Sequence, residues 1–488
     1  MSDILFIHPN FPAQYRLLAQ ALARGGEHRV FALGNASWMQ AVAFEDITLW
    51  QYEASADDQP EGASPELRGT ATERMPKVIP KVVSEVAPEG IPEAVTEVTP
   101  ASAPDHTFEG ASALAADRGR VHPYLRGFDA GVRRGQAAIR FLIQKKHQGF
   151  EPDVIYVHPG WGDGLFLKDV FPNAFVVGYL EYFYSARGAD VGFDAEFPLA
   201  FDDIFRVRML NSLQHHALDS IDLGLCPTEW QKSRYPQAYH SKIAVLHDGI
   251  DTERLAPNPQ ASLPVPECRY RVNGLSAVSP AMTLTCADRV LTYVSRSLEP
   301  YRGVHTLIRA LPEILAQAPE LRVVLVGKFE HSYGPPCTRD DSWFSYYLKE
   351  VSGKLTEQML SRVYCLGWVD YETYIRVLQI SRAHVYFTVP FILSWSVLEA
   401  LSVGCAVIGS DTPPVREIIT EGVNARVSPF HDPQALAACA LEVLNDPDHC
   451  KALRAAARAG VIARYDFRSV VLPRHLALLK QHSPGLSI

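Results

Sequence analysis

The hydrophobic pattern is densest from Ala383 to Glu417, in the run AHVYFTVPFILSWSVLEALSVGCAVIGSDTPPVRE. A membrane span needs about 20 apolar residues without interruption. Here Pro390 interrupts the run, Glu399 follows it, and Ser394, Ser396 and Ser402 break its apolar surface. The spacing instead predicts a strand over His384–Phe387, a loop from Pro390, a helix capped by Ser394 or Ser396 and ended by Gly404, and a second strand over Ala406–Ile408. Both strands are apolar throughout, as in a parallel sheet covered on both faces.

The same alternation recurs along the chain. Asp3–His8 reads as a buried strand, Gln14–Arg24 as an amphipathic helix carrying Leu17, Leu18, Ala21 and Leu22, and Arg29–Leu33 as the next strand. Further strands are expected over Asp153–His158, Ala174–Tyr179, Leu223–Cys226 and Ile243–His247, with helices over about Tyr124–Gln148 and Asp202–Ser220. A second series runs through Val290–Ser295, Leu321–Gly327, Val363–Leu366, Ala383–Phe387 and Ala406–Ser410. Helical segments separate these strands, so each sheet is expected to be parallel. The turn His247-Asp248-Gly249 and the Pro-rich stretch Pro257–Pro266 mark a boundary between a domain of residues 1–248 and one of residues 249–466. From Ala54 to about His106, prolines recur too often for a helix and apolar residues are too sparse for a core, which predicts a disordered or extended insertion.

With 488 residues and 47% hydrophobic content, the chain can bury two large cores. Its formal net charge of -9 argues against nucleic acid as a partner. The basic residues Arg133, Arg134, Arg140, Lys145 and Lys146 read as a solvated helix face, with a peripheral membrane contact as the alternative. The N-terminus lacks the basic region of a signal peptide, and the 8 cysteines form no C-x-x-C pair, so a cytoplasmic location with reduced thiols is expected. No cysteine or histidine spacing suits a metal, and Asp446-Pro447-Asp448 reads as capping at a helix start, so neither metal nor cofactor is expected.

Ligands of parallel sheets bind beyond the carboxyl ends of the strands. The loop Pro390–Trp395 occupies that place, and the amides of Ser394, Trp395 and Ser396 are expected to accept an anion at the helix N-terminus. Glu399, one turn inside, is placed to reach a ligand hydroxyl rather than simply to face solvent. After Ser295 come Arg296 and Arg302, six residues apart and followed by Gly303, a permanent double charge suited to a diphosphate; the alternative is two surface arginines on a loop. On the first domain, the loop His8–Gln14 is rigidified by Pro9 and Pro12 and carries Gln14, and His158 ends a strand facing the same crevice. Neither that loop nor Gly160-x-Gly162, with Leu165 at the third glycine position, has the G-x-G-x-x-G spacing of a dinucleotide site.

The motifs YVSRSLEPYRG, VVLVG, CLGWVD and PFILSWSVLEALSVGCAVIGSDTPPVREII, preceded by FIHPNFPAQY, DVIYVHPGWGD and PTEWQ, resemble the family 4 retaining glycosyltransferases in order and spacing. That resemblance implies the GT-B fold, an α/β architecture of two Rossmann-like domains with parallel sheets facing a central cleft. It also implies that residues 467–488 cross back to the first domain, on a stripe of Val470, Leu472, Leu476 and Leu479. The implied activity is metal-free transfer of a sugar from a nucleotide-diphosphate donor to a glycan or lipid-linked acceptor, with a peripheral site at the inner membrane as one location. A sugar-phosphate-dependent or disaccharide-forming enzyme and a non-catalytic nucleotide-sugar scaffold are the alternatives. Carried over by position, Arg296 and Arg302 would hold the diphosphate, with arginine standing where the family usually has lysine. Ser394 and Trp395 would offer backbone N–H groups near the phosphates, Glu399 would lie at the ribose, Gly367, Trp368 and Val369 at the base, and His158 beside the transferred sugar. Eight positions before Glu399 the family places another glutamate, and this chain has Phe391 there.

Overall fold

The computed structural model describes residues 1–39, 44, 46–54 and 121–482. Apart from Ala54, the expected insertion lies outside the described residues. The first sheet has seven parallel strands: β1 (Ser2–Ile7), β2 (His28–Asn35), β3 (Ile47–Tyr52), β4 (Val154–Val157), β5 (Phe175–Tyr179), β6 (Leu223–Cys226) and β7 (Ile243–Val245). Their spatial order is β3-β2-β1-β4-β5-β6-β7. The central strand β1 is buried along its whole length, which is why its residues are apolar at consecutive rather than alternate positions. Strand β3 was not expected; it is an edge strand whose middle residues are half-exposed or exposed, so its apolar signal is diluted.

Two helices differ from the expectation for physical reasons. The segment expected as one helix over Asp202–Ser220 is two, Phe201–Leu210 and Ser212–Ser220. Between them, the Asn211 side chain accepts from the Tyr184 amide at 2.9 Å and donates to the Tyr184 carbonyl at 2.8 Å. The helix Arg126–His147 does not present all its basic residues to solvent. Arg134 is only 2% exposed, its Nε donates to the Trp161 carbonyl at 2.9 Å, and its guanidinium lies 5.6 Å from the Trp38 ring.

The Pro-rich boundary carries structure of its own. Strands β8 (Ser262–Val265) and β11 (Met282–Thr285) pair antiparallel, and so do β9 (Cys268–Val272) and β10 (Leu275–Ser279). Asn273 and Gly274 form the β9–β10 turn at φ 45 and φ 85, the left-handed pair that a two-residue hairpin needs. The second main sheet contains β12 (Val290–Ser297), β13 (Arg322–Lys328), β14 (Val363–Cys365), β15 (Ala383–Tyr386), β16 (Val407–Ser410) and β17 (Arg426–Ser428). All pair in parallel, in the order β14-β13-β12-β15-β16-β17. The β9–β10 ribbon leans on the edge strand β14, where the Tyr270 hydroxyl donates to the Val363 carbonyl at 2.9 Å and Ser279 Oγ to the same oxygen at 2.7 Å.

The segment of residues 467–479 packs against the first sheet. Phe467, Val471 and Leu479 share a core with Ile4, Phe6 and Tyr156, and the Tyr156 hydroxyl lies 2.8 Å from His475 Nε2. The buried seam is therefore Phe467, Val471, His475 and Leu479, while Leu472 and Leu476 of the expected stripe are only partly buried. Gly249, at φ 89, is needed for this contact because a Cβ there would stand 2.8 Å from the Phe467 ring. Among the described residues no helix is long and apolar enough to cross a membrane. Phe467→Ala should destabilise the protein by about 3–5 kcal/mol, whereas Phe201→Ala, at a side chain 77% exposed, should change little. Urea unfolding midpoints of the two variants check this; equal midpoints would show that the end of the chain is not part of the core.

Candidate active site in the interdomain cleft

The second domain's wall begins where β12 ends. The chain turns through Pro300–Arg302 into Gly303, which sits at φ 72 with no room for a side chain, since a Cβ would lie 2.5 Å from Phe387 Cβ. This turn drives Arg302 inward until it is only 7% exposed. Its Nη1 donates to Thr388 Oγ1 at 2.9 Å and to the Ile392 carbonyl at 3.1 Å. The guanidinium carbons of Arg302 and Arg296 lie 5.1 and 5.3 Å from the centre of the same ring, that of Tyr333. Arg296 is exposed, and neither arginine has a carboxylate ion-pair partner among the described residues. Tyr333 is held there by Glu299, which is 0% exposed and accepts from the Ser332, Tyr333 and Gly334 amides at 2.9, 3.0 and 3.2 Å. The two arginines are thus brought together, but one is buried beneath a tyrosine loop rather than carried on a surface turn.

The helix Trp395–Val403 starts beside them, capped by Ser394. Two of its three expected anion-binding amides are already engaged: Ser394 N donates to the Tyr386 hydroxyl at 2.9 Å, and Ser396 N to Ser394 Oγ at 3.2 Å. The expectation of free amides at Ser394 and Ser396 is corrected, because the loop caps itself. Phe391 is also not an open contact surface. It is 2% exposed, with its ring 4.7, 5.1 and 5.3 Å from those of Tyr182, Tyr301 and Tyr333. Glu399 accepts from the hydroxyls of Tyr371 at 2.7 Å and Tyr374 at 2.6 Å. Burial pushes its carboxyl up, against those two hydrogen bonds and the charge of Arg254. Gly367, at φ 66, turns the chain after β14, and Trp368 beside it is 68% exposed with Lys328 Nζ 5.7 Å from its ring. Val369 packs partly buried on the second core. The side chains of residues 447–449, Asp448 among them, lie outside the described residues.

The first domain supplies the opposite wall. His158 ends β4 and is 6% exposed, with Nε2 3.3 Å from Glu181 Oε2 and its ring 5.6 Å from that of His8. Glu181 follows β5. Burial would raise its carboxyl, but His158, Arg296 and Arg302 hold it below the usual carboxylate range. Asp248, in the turn between the domains, accepts from the Tyr179 hydroxyl at 2.9 Å on one side and from Trp395 Nε1 at 2.7 Å on the other. Gln14 and Tyr15 line a cavity of about 30 Å³ that also reaches Asp248, His247 and His475, while Pro12 stays half-buried in the turn before them. Sequence reasoning did not single out Glu181, Asp248, Glu299 or Tyr333 as site residues. For the first two a signal existed, because both directly follow strands of a parallel sheet, at the edge where ligands bind.

Two family models match this chain: Glycosyl transferase family 4 group over residues 108–255 and Glycosyl transferases group 1 over residues 286–460. The chain belongs to the family 4-like, group 1 glycosyltransferases. Among curated members it is 25% identical over 184 residues to phosphatidyl-myo-inositol mannosyltransferase of Mycolicibacterium smegmatis, covering 37% of this chain and 42% of the relative. It is 23% identical over 276 residues to a GDP-mannose-dependent monoacylated alpha-(1-6)-phosphatidylinositol monomannoside mannosyltransferase of Corynebacterium glutamicum, covering 54% of this chain and 63% of the relative. The chain therefore spans less than two thirds of the length of either. Sucrose-phosphate synthase of Thermosynechococcus elongatus shares the fold with a TM-score of 0.62 at 14% identity, covering 99% of this chain and 100% of that one. Anabaena HepE, solved in complex with UDP and glucose, gives a TM-score of 0.57 at 14% identity with the same coverage. With these neighbours the two parallel-sheet domains are a GT-B fold.

The glycosyltransferase cleft carries one group whose titration is readable in stability. Burial pushes the Asp248 carboxyl up to about 7, well above the usual carboxylate range, with the Trp395 and Tyr179 hydrogen bonds opposing it. The folded state then binds this proton more tightly than the unfolded state, so stability is lost as pH rises through that window and levels off above it. Compared with Asp248→Asn, the wild-type protein should lose Tm progressively between about pH 4 and about pH 7. A Tm difference that stays constant across that range would contradict the assignment.

Proposed function

We propose that the chain transfers a hexosyl group from a nucleoside-diphosphate sugar to a glycan or lipid-linked acceptor, with retention at the anomeric carbon and without a metal. The observation that carries this reading is the pair Arg296 and Arg302 around Tyr333, at the carboxyl edge of a parallel sheet, facing a histidine and a carboxylate of the other domain. Cleaving the bond between the anomeric carbon and the phosphate oxygen builds negative charge on the departing diphosphate and positive charge on the sugar. Two guanidiniums at the carboxyl edge of the sheet stabilise the first. Arg302 is already oriented by Thr388 and Ile392, so the cost of immobilising it is met in folding.

On this reading the nucleoside lies on the second domain, with its ribose near Glu399 and its base along Gly367, Trp368 and Val369. The indole of Trp368, 68% exposed, offers a stacking face there. The transferred sugar points toward His158, and the acceptor enters over the first domain, near Pro12 and Gln14. The curated relatives are named as mannosyltransferases, one of them GDP-mannose-dependent with a phosphatidylinositol-type acceptor, which supports GDP-mannose and an inositol lipid as the first substrates to test. Such an acceptor would bring the protein to the cytoplasmic face of the membrane.

Release of GDP or UDP from GDP-mannose and UDP-glucose, measured with and without phosphatidylinositol vesicles, tests the activity. Turnover of one donor is the expected result; no turnover and no binding of any donor would contradict the reading. Arg296→Ala and Arg302→Ala should each weaken nucleoside-diphosphate binding by about 1.5–3 kcal/mol, the worth of a charged hydrogen bond. Glu399→Gln should weaken it less, because one of the two tyrosine hydroxyls can still donate to the Gln carbonyl oxygen while the other turns to accept from its amide nitrogen. Calorimetric titration of the three variants with the diphosphate of the preferred donor gives the ranking, and undiminished affinity in both arginine variants would leave the pair as structural charge.

A further inference from the structure

We propose that Glu181, a residue of the first domain, is the carboxylate that binds the transferred sugar; the inference rests on the donor site proposed above. Its main chain is fixed from both sides. The Glu181 carbonyl accepts from Gln231 Nε2 at 2.6 Å, and Gln231 is itself 0% exposed and hydrogen-bonded to Thr228. The next residue, Tyr182, packs its ring 4.7 Å from Phe391 and donates its hydroxyl to Asp190 at 2.7 Å and to the Pro390 carbonyl at 3.3 Å. Glu181 is thereby tied to the second-domain loop that also receives the Arg302 guanidinium.

The side chain itself stays available. It is 40% exposed, and its one hydrogen bond among the described residues, to His158 at 3.3 Å, is long enough to yield to a better-placed donor. Three other acidic groups around the cleft already accept hydrogen bonds. Glu299 is consumed by the amides of the Tyr333 loop, both Glu399 oxygens accept from tyrosines, and Asp248 is shared between Tyr179 and Trp395. Phe391 presents a phenyl ring, which accepts no conventional hydrogen bond from a hydroxyl, and is covered by three other rings. Against burial, the hydrogen bond to His158 and the charges of Arg296 and Arg302 hold the Glu181 carboxyl below the usual carboxylate range, and an ionised carboxylate is an acceptor only, matched to sugar hydroxyls. A nucleoside-diphosphate sugar carries its anion and its hydroxylated ring side by side. The cleft offers the same order in complement, with guanidiniums on one domain and a carboxylate on the other. In the transition state that carboxylate would also face the positive charge growing on the sugar.

The test compares wild type with Glu181→Gln and Glu181→Asp by calorimetric titration, using GDP with GDP-mannose and UDP with UDP-glucose, and is read in whichever pair wild type binds more tightly. The expected result is a nucleoside-diphosphate affinity within about twofold of wild type, with the extra affinity conferred by the sugar reduced about tenfold or more in Glu181→Gln. Glu181→Asp should recover part of that loss. Tm values within about two degrees of wild type would confirm that both variants are folded. Equal weakening of nucleotide and nucleotide sugar, or an unchanged difference between them, would overturn the role of Glu181 while leaving the donor site standing. If wild type binds none of the four probes, the donor-site reading fails and this inference falls with it.

Discussion

The constraint behind the second domain's active face is a buried positive charge. Arg302 is 7% exposed and is held by a hydroxyl, a carbonyl and two aromatic rings, with no carboxylate in ion-pair contact among the described residues. Taking a guanidinium out of water costs several kcal/mol, and the neutral acceptors together with the more distant charges of Glu299 and Glu181 offset part of that. Such a site is stabilised by an anion that enters from the cleft. Much of the neighbourhood serves the same charge: Gly303 makes the turn that aims it, the Tyr293 hydroxyl donates to the Arg302 carbonyl at 2.7 Å, and Glu299 spends its carboxylate on holding Tyr333 beside it.

The second organising feature is how firmly the two domains are joined. A first-domain segment enters the second domain's core, with Tyr182 fully inside it and Phe193 and Phe197 packed on it. Asp190 accepts from Tyr182 of its own domain and Tyr301 of the other, and Asp194 lies 3.0 Å from His305. Glu417 of the second domain caps the first-domain helix Glu229–Arg234, accepting from the Glu229 and Trp230 amides at 2.8 and 2.9 Å. These contacts fix the distance between His158 and Glu181 on one wall and the arginines on the other. They turn two half-sites into one cleft without relying on the hinge segment alone.

Much of this was legible in the residues. Continuous apolar runs such as Ile4–Ile7 and Val323–Val326 announce buried parallel strands because both faces of the sheet are covered, and Pro390 and Gly404 punctuate the central unit where the structure turns. What escaped the sequence was set by long-range contacts. Asn211 breaks a helix only because Tyr184 is near it, Arg134 is buried only because Trp161 and Trp38 meet it, and the Ser394 amide is occupied only because the Tyr386 hydroxyl reaches it. The Val272-Asn273-Gly274-Leu275 hairpin did carry a local signal, but the prolines nearby masked it. At the site, residue type and spacing pointed to Arg296, Arg302, His158 and Glu399. Glu181 and Asp248 follow strands at the ligand edge of the first sheet, but their roles, like that of Glu299, are set by side chains distant in the chain that meet them.

The central claim, that the paired arginines and the first-domain wall form one donor site, is tested most directly by a crystal structure of the protein with its tightest-binding nucleoside-diphosphate sugar. The account predicts a diphosphate within hydrogen-bond distance of both Arg296 and Arg302, and a sugar ring turned toward His158 and Glu181. A diphosphate bound elsewhere, with Tyr333 still between the two guanidiniums, would contradict it.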